Sequence, residues 1–152
     1  MSSDFSLEEL YRETILDHNR SPRNRGQLPD ATATVGLLNP TCGDQIRLDV
    51  KVDAGRVADI RFTGHGCAIS MASASMMTEA VKGLPVSEAL ALARAFKRFL
   101  TGEDPGRDLG ELETLKGVSQ YPSRVKCATL AHNALEQALD PETSSPTSAS
   151  SS

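Results

Sequence analysis

Hydrophobic and polar positions alternate most clearly between residues 46 and 62. Ile46, Leu48, Val50 and Val52 interleave with Arg47, Asp49 and Lys51, and this period of two predicts a strand with one apolar and one wet face. Asp53-Ala54-Gly55 carries turn chemistry, and Ala58, Ile60 and Phe62 alternate with Val57, Asp59 and Arg61 in a returning strand. Residues 31–38 are small, threonine-rich and β-branched, and predict a third strand. Elsewhere the period is helical. Leu7, Leu10, Tyr11, Thr14 and Ile15 share a face that ends near His18, and Ser6-Leu7-Glu8-Glu9 has the form of a capping box. Ile69, Ser73, Met76 and Ala80 form a stripe in a helix of small residues, which Lys82-Gly83-Leu84-Pro85 ends. Val86, Ala89, Leu90, Ala93, Phe96, Lys97 and Leu100 trace the next helix. Val125, Ala128, Ala131, Leu135 and Leu139 trace the last, opened by Pro122 or Ser123. Between them, residues 103–119 read as an excursion with a short helical pattern around Leu112 and Leu115. The expected fold class is α+β, a three-stranded antiparallel sheet with helices packed on one face. One domain is expected over residues 1–140, and residues 141–152, rich in Ser, Thr and Pro, are expected to form a disordered tail.

Composition narrows the function classes. Sixteen basic and 20 acidic residues give a formal net charge of −4, which supports neither a nucleic-acid nor an anionic-membrane surface. No apolar run approaches the roughly 18 residues needed to span a bilayer, and the N-terminus does not read as a signal peptide, so the expected location is the cytoplasm. Three cysteines is an odd number, which points away from a disulfide framework and toward metal binding or thiol reactivity.

Asn39-Pro40-Thr41-Cys42-Gly43-Asp44 sets a thiol and a carboxylate two residues apart on a turn. Cys42 precedes the second strand and Cys67 follows the third, so the hairpin returns both to one sheet edge. Cys67 and Cys127 each lie near an expected helix start, where a thiol gains from the positive end of the dipole. Together Cys42, Asp44, Cys67 and Cys127 make a tetrahedral set suited to zinc, although sulfur-rich sites also suit iron. Three thiolates and a carboxylate leave a double negative charge around a divalent ion, and Arg124 and Lys126 lie close enough to help balance it. His65 reads as a strand-end residue, His18 and His132 as helix-surface residues, and Met71, Met76 and Met77 as packing.

The runs NPTCGD at 39–44, GHGCAISMASASMM at 64–77 and RVKCATLA at 124–131, with YRETILDHNRSPRNRG at 11–26, resemble the U-type iron-sulfur assembly proteins, most closely their SufU branch. IscU-like scaffolds of that superfamily carry a histidine before the third cysteine and a Leu-Pro-Pro-Val-Lys motif ahead of it; here Lys126 and Ser119-Gln120-Tyr121-Pro122-Ser123 stand instead. The resemblance implies a zinc-dependent sulfurtransferase that takes sulfane sulfur from the persulfide of a SufS-type cysteine desulfurase and passes it to downstream Suf cluster-assembly proteins. It implies Cys42 as sulfur acceptor, zinc on Cys42, Asp44, Cys67 and Cys127, and Arg124 at the desulfurase interface. The alternative it implies is a scaffold on which the same ligands hold a transient iron-sulfur cluster.

Overall fold

A computed structural model of the protein describes residues 7–39 and 43–140. Three strands, β1 (Ala33–Asn39), β2 (Asp44–Asp53) and β3 (Arg56–His65), form an antiparallel sheet in the order β1-β2-β3. Helix α1 (Leu7–Arg20) precedes it; α2 (Ala68–Val81), α3 (Val86–Leu100), a 3-10 helix (Gly110–Gln120) and α4 (Pro122–Leu139) follow. The expected fold class holds. Ser6 of the expected capping box, residues 40–42 and the expected tail from residue 141 lie outside the described residues. Among those described, no helix is long and apolar enough to cross a membrane.

The hairpin forms as its turn residues dictate. Ala54 and Gly55 both take positive φ, 54° and 77°, the pair of left-handed residues that a two-residue connection needs to follow the twist of its strands. The returning strand departs from simple alternation. Lys51 pairs with Asp59 but Val52 pairs with Val57, so Ala58 is the extra residue of a bulge. Val57 is therefore buried beside Ile60 and Phe62, and Ala58, expected inside, is exposed.

One face of the sheet, built from Ile46, Leu48, Val50, Val57, Ile60 and Phe62, lies against α2, α3 and α4. Helix α2 is the centre of the molecule: every residue from Ser70 to Thr78 is buried, with α1, α3, α4, the 3-10 helix and β3 around it. Its Ala and Ser side chains allow that approach from all sides, so the single apolar stripe expected from sequence is only part of its buried surface. Over the other face runs the α1–β1 connection. Gly26 N–H donates to Phe62 at the β3 edge, Leu28 N–H to the buried Asp49 carboxylate, and Thr32 N–H to Val50.

The segment read as an excursion contributes to the core. Leu109, Leu112, Leu115 and Val118 are all buried, and their spacing of three matches the three residues per turn of a 3-10 helix.

Two histidines expected on helix surfaces are fully buried. His132 on α4 stacks on Phe96, with ring centroids 4.2 Å apart. The Ser73 hydroxyl donates to Ala128 O at 2.6 Å, so His132 Nε2–H donates to Ser73 Oγ at 3.1 Å and the ring is neutral. Burial, with a smaller contribution from the Lys97 charge, pushes its pKa down from 6.5 to about 3. His18 on α1 bridges Ser75 and Glu111. In both cases a neighbouring helix supplies the partners that made burial possible.

Candidate metal centre

The ends of the paired strands, the start of α2 and the second turn of α4 converge at one end of the sheet. Asp44 is the first residue of β2, opposite Asn39 of β1, and its neighbour Gln45 pairs with His65 at the end of β3. Two residues beyond His65, Cys67 caps α2: its Sγ accepts from Ser70 N–H at 3.4 Å. The Asp44 carboxylate, 1% exposed, is aimed at this cap. Its Oδ1 accepts the Cys67 backbone N–H at 2.9 Å, and Oδ2 lies 3.7 Å from Cys67 Sγ.

Gly66 makes that approach possible. A Cβ at this position would overlap Asp44 Oδ1 and lie 2.8 Å from Cγ and 3.0 Å from Cβ. Gly66 carries no ligand chemistry of its own, and its one cue in the sequence is its placement directly before a cysteine. The neighbouring Gly64 is also required, with φ at 145° and no space for a side chain against the Gln45 backbone.

Cys127 enters from α4. It is 2% exposed and lies a full turn inside the helix, where its thiol donates to Ser123 O at 3.6 Å. The expectation that it draws on the helix dipole is therefore corrected: the α4 amides of the first turn lie before it, whereas Cys67 does sit at a helix N-terminus. One ligand atom from each of Asp44, Cys67 and Cys127 lies within 4.8 Å of the others.

That donor set fits a thiophilic divalent ion. Two sulfurs and a carboxylate oxygen from three separate elements close on one point, and a buried carboxylate beside two thiols is a costly grouping without a cation. Cys42, the fourth ligand expected from sequence, lies outside the described residues; its neighbour Gly43 takes φ of 75° and donates to Asn39 O at 2.8 Å. His65 is exposed and Lys126 is exposed; neither belongs to the cluster among the described residues. Arg124 is exposed on the first turn of α4 and lines a surface cavity of about 710 Å³ with Arg12, Ile15, Leu16, Ile69 and Tyr121 among others.

Comparison with known proteins gives a consistent picture. The family model of the NifU-like N terminal domain matches residues 10–128. The chain is 49% identical over 144 residues to the zinc-dependent sulfurtransferase SufU of Bacillus subtilis (strain 168), covering 93% of this chain and 97% of that protein. It is 50% identical over 135 residues to the iron-sulfur cluster assembly scaffold protein IscU of Streptococcus pyogenes serotype M1, covering 88% and 84%. A crystal structure from Fervidobacterium islandicum, described as a candidate iron-sulfur cluster assembly scaffold protein for the SUF system, superposes with a TM-score of 0.80 at 34% identity, covering 84% of this chain and 95% of that one.

Proposed function

The chain belongs to the NifU-like N-terminal domain family, and on that premise we propose that it is a zinc-dependent sulfurtransferase, accepting sulfane sulfur from a cysteine desulfurase persulfide for iron-sulfur cluster assembly. The observation that carries this reading is the Asp44–Cys67–Cys127 cluster, with ligand atoms within 4.8 Å of one another. Similarity to a relative named for zinc-dependent sulfur transfer supports it.

Zinc would be held by Asp44, Cys67 and Cys127 together with Cys42, and when bound it keeps thiols as thiolates and shields them from oxidation. Asp44 supplies the oxygen donor and, by accepting the Cys67 amide, fixes the start of α2 beneath the site. Cys67 and Cys127 are anchored by helices, which suits them to stay in place. Cys42 lies in sequence between β1 and β2, and is assigned as the acceptor. In the transfer step its thiolate attacks the outer sulfur of the desulfurase persulfide. The sulfur–sulfur bond of the donor breaks, the desulfurase cysteine leaves as a thiolate, and a persulfide forms on Cys42. Arg124, exposed on the first turn of α4, is assigned to the contact with the desulfurase.

Incubation with a SufS-type desulfurase and cysteine, followed by peptide mass spectrometry, tests the assignment. One added sulfur is expected on the Cys42 peptide, and Cys42→Ser is expected to abolish desulfurase stimulation while the fold persists. Full stimulation by Cys42→Ser would refute the acceptor role. The second reading, a cluster scaffold, is favoured by the similarity to a relative named IscU. Brown, iron-containing protein from anaerobic purification would select it over transfer; stoichiometric zinc without visible absorption selects transfer.

A further inference from the structure

A second group of metal-ligating side chains lies well away from the cysteines. His18 of α1, Glu79 of α2 and Glu111 of the 3-10 helix each place one ligand atom within 4.8 Å of the other two. Along α2, Glu79 is twelve residues past Cys67, ~18 Å at the rise of an α-helix.

The imidazole is built in as a positioned ligand would be. His18 is wholly buried, and Ser75 Oγ lies 2.7 Å from Nδ1, which fixes the ring and turns Nε2 toward Glu111 Oε1 at 2.8 Å. A metal-bound histidine donates its other ring N–H to an outer-shell acceptor, and Ser75 Oγ is placed to accept from Nδ1. Ser75 is in turn held by Arg23 N–H at 2.8 Å.

The histidine contact accounts for Glu111 but not for the approach of Glu79 to it. Both side chains are about half exposed, at 51% and 53%, yet converge instead of spreading into solvent. The nearest balancing cation is Arg23, whose Nε is 4.0 Å from Glu79 while its Nη2 is engaged by Asp17 at 2.7 Å. Arg20 also acts on Asp17, and Arg23 is the guanidinium that Glu79 and Glu111 share. Beside the carboxylates opens a cavity of about 340 Å³, lined otherwise by Met76, Ala80, Leu109, Gly110 and Leu112, in which Glu79 and Glu111 are the charged groups.

We propose that His18, Glu79 and Glu111 form a second cation site, taking a first-row divalent ion through one nitrogen and two oxygens and tying α1, α2 and the 3-10 helix together. An imidazole with two carboxylates and no sulfur selects this class over calcium or magnesium on one side and thiophilic ions on the other. With an ion on Nε2 the ring carries its proton on Nδ1, which donates to Ser75 Oγ. The Ser75 hydroxyl, freed from Nδ1, can turn to the carbonyl four residues earlier in α2. The site stands independently of sulfur transfer.

The test uses the full chain, stripped of metal and titrated anaerobically with cobalt(II) alone. Bound cobalt is counted by elemental analysis after gel filtration, and thiolate-to-cobalt charge-transfer absorption is read on the same sample. Wild type is expected to hold two equivalents, one of them accounted for by the absorption. Glu79→Gln/Glu111→Gln alters only half-exposed side chains, and is expected to hold one equivalent with the absorption unchanged. A single equivalent in wild type that carries the thiolate absorption, or two in the double variant, overturns the proposal. Loss of the charge-transfer band in wild type, with one equivalent that the double variant lacks, would count against the cysteine site and in favour of this one.

Discussion

Replacing Gly66 by alanine should disable the candidate metal centre without touching any of its candidate ligands. Gly66 does not use a positive φ, so alanine suits the backbone and gains ~0.4 to 1 kcal/mol from the stiffer unfolded chain. Against this, the new methyl group would overlap Asp44 Oδ1 and sit 2.8 Å from Cγ, and the carboxylate, 1% exposed, has little room to retreat. Overpacking of this kind costs ~1 to 3 kcal/mol. Displacing Oδ1 from the Cys67 amide loses a hydrogen bond to a charged group, ~1.5 to 3 kcal/mol. The net expectation is destabilisation by about 2 to 5 kcal/mol, with loss of tight metal retention. Urea unfolding in the presence of a chelator measures the first part free of any bound ion. The decisive comparison is a double-mutant cycle. In an Asp44→Ala background the two closest obstructing atoms are gone and the 3.0 Å contact with the Asp44 Cβ stays, so Gly66→Ala should then cost less than about 1 kcal/mol. Equal costs in both backgrounds, within about 0.5 kcal/mol, would refute the coupling between Gly66 and Asp44.

Further outcomes follow from other parts of the fold. His132 is neutral when folded, with a pKa near 3 against 6.5 for the free side chain, so the unfolded chain binds the extra proton between these values. Stability should therefore fall on acidification from pH 6.5 toward pH 3, by on the order of 1 kcal/mol per pH unit from this group, and His132→Phe should flatten that slope. An unchanged slope in chemical denaturation across this range would remove His132 as its source. Gly64→Ala places a Cβ against the Gln45 carbonyl, 3.0 Å from its carbon and 3.1 Å from Ile46 Cα, at a φ of 145°. A loss of roughly 3 kcal/mol or more is expected in thermal unfolding, and a change below about 0.5 kcal/mol would contradict that close contact.

The hairpin and its turn were legible because alternation and positive-φ residues are local properties. The bulge at Ala58 was not, since Val57 and Ala58 are both plausible inward residues and only pairing across to Val52 decides between them. For the same reason His18 and His132 read as surface residues: their partners Ser75, Glu111 and Ser73 lie 57, 93 and 59 positions away. Leu109, Leu112, Leu115 and Val118 carried a visible period of three, but a search for a period of 3.6 does not register it. At the site, the separated motifs marked Asp44, Cys67 and Cys127, and the fold brings those three together. Gly66 acts through space it leaves empty, which no ligand pattern records.

Asp44 sits at the register position where β1, β2 and the end of β3 meet, with its side chain seated against Gly66 and Cys67. Side chains alternate along a strand, so sliding β2 by one place would turn that carboxylate to the opposite face and present Gln45 to the sulfurs. A mispaired hairpin would thus forfeit its oxygen donor while keeping every cysteine. Thiol titration would score such molecules as intact, whereas, under the proposed zinc-binding function, a count of tightly held ions would tally only correctly assembled ones, making metal content a yardstick for the quality of a refolded preparation.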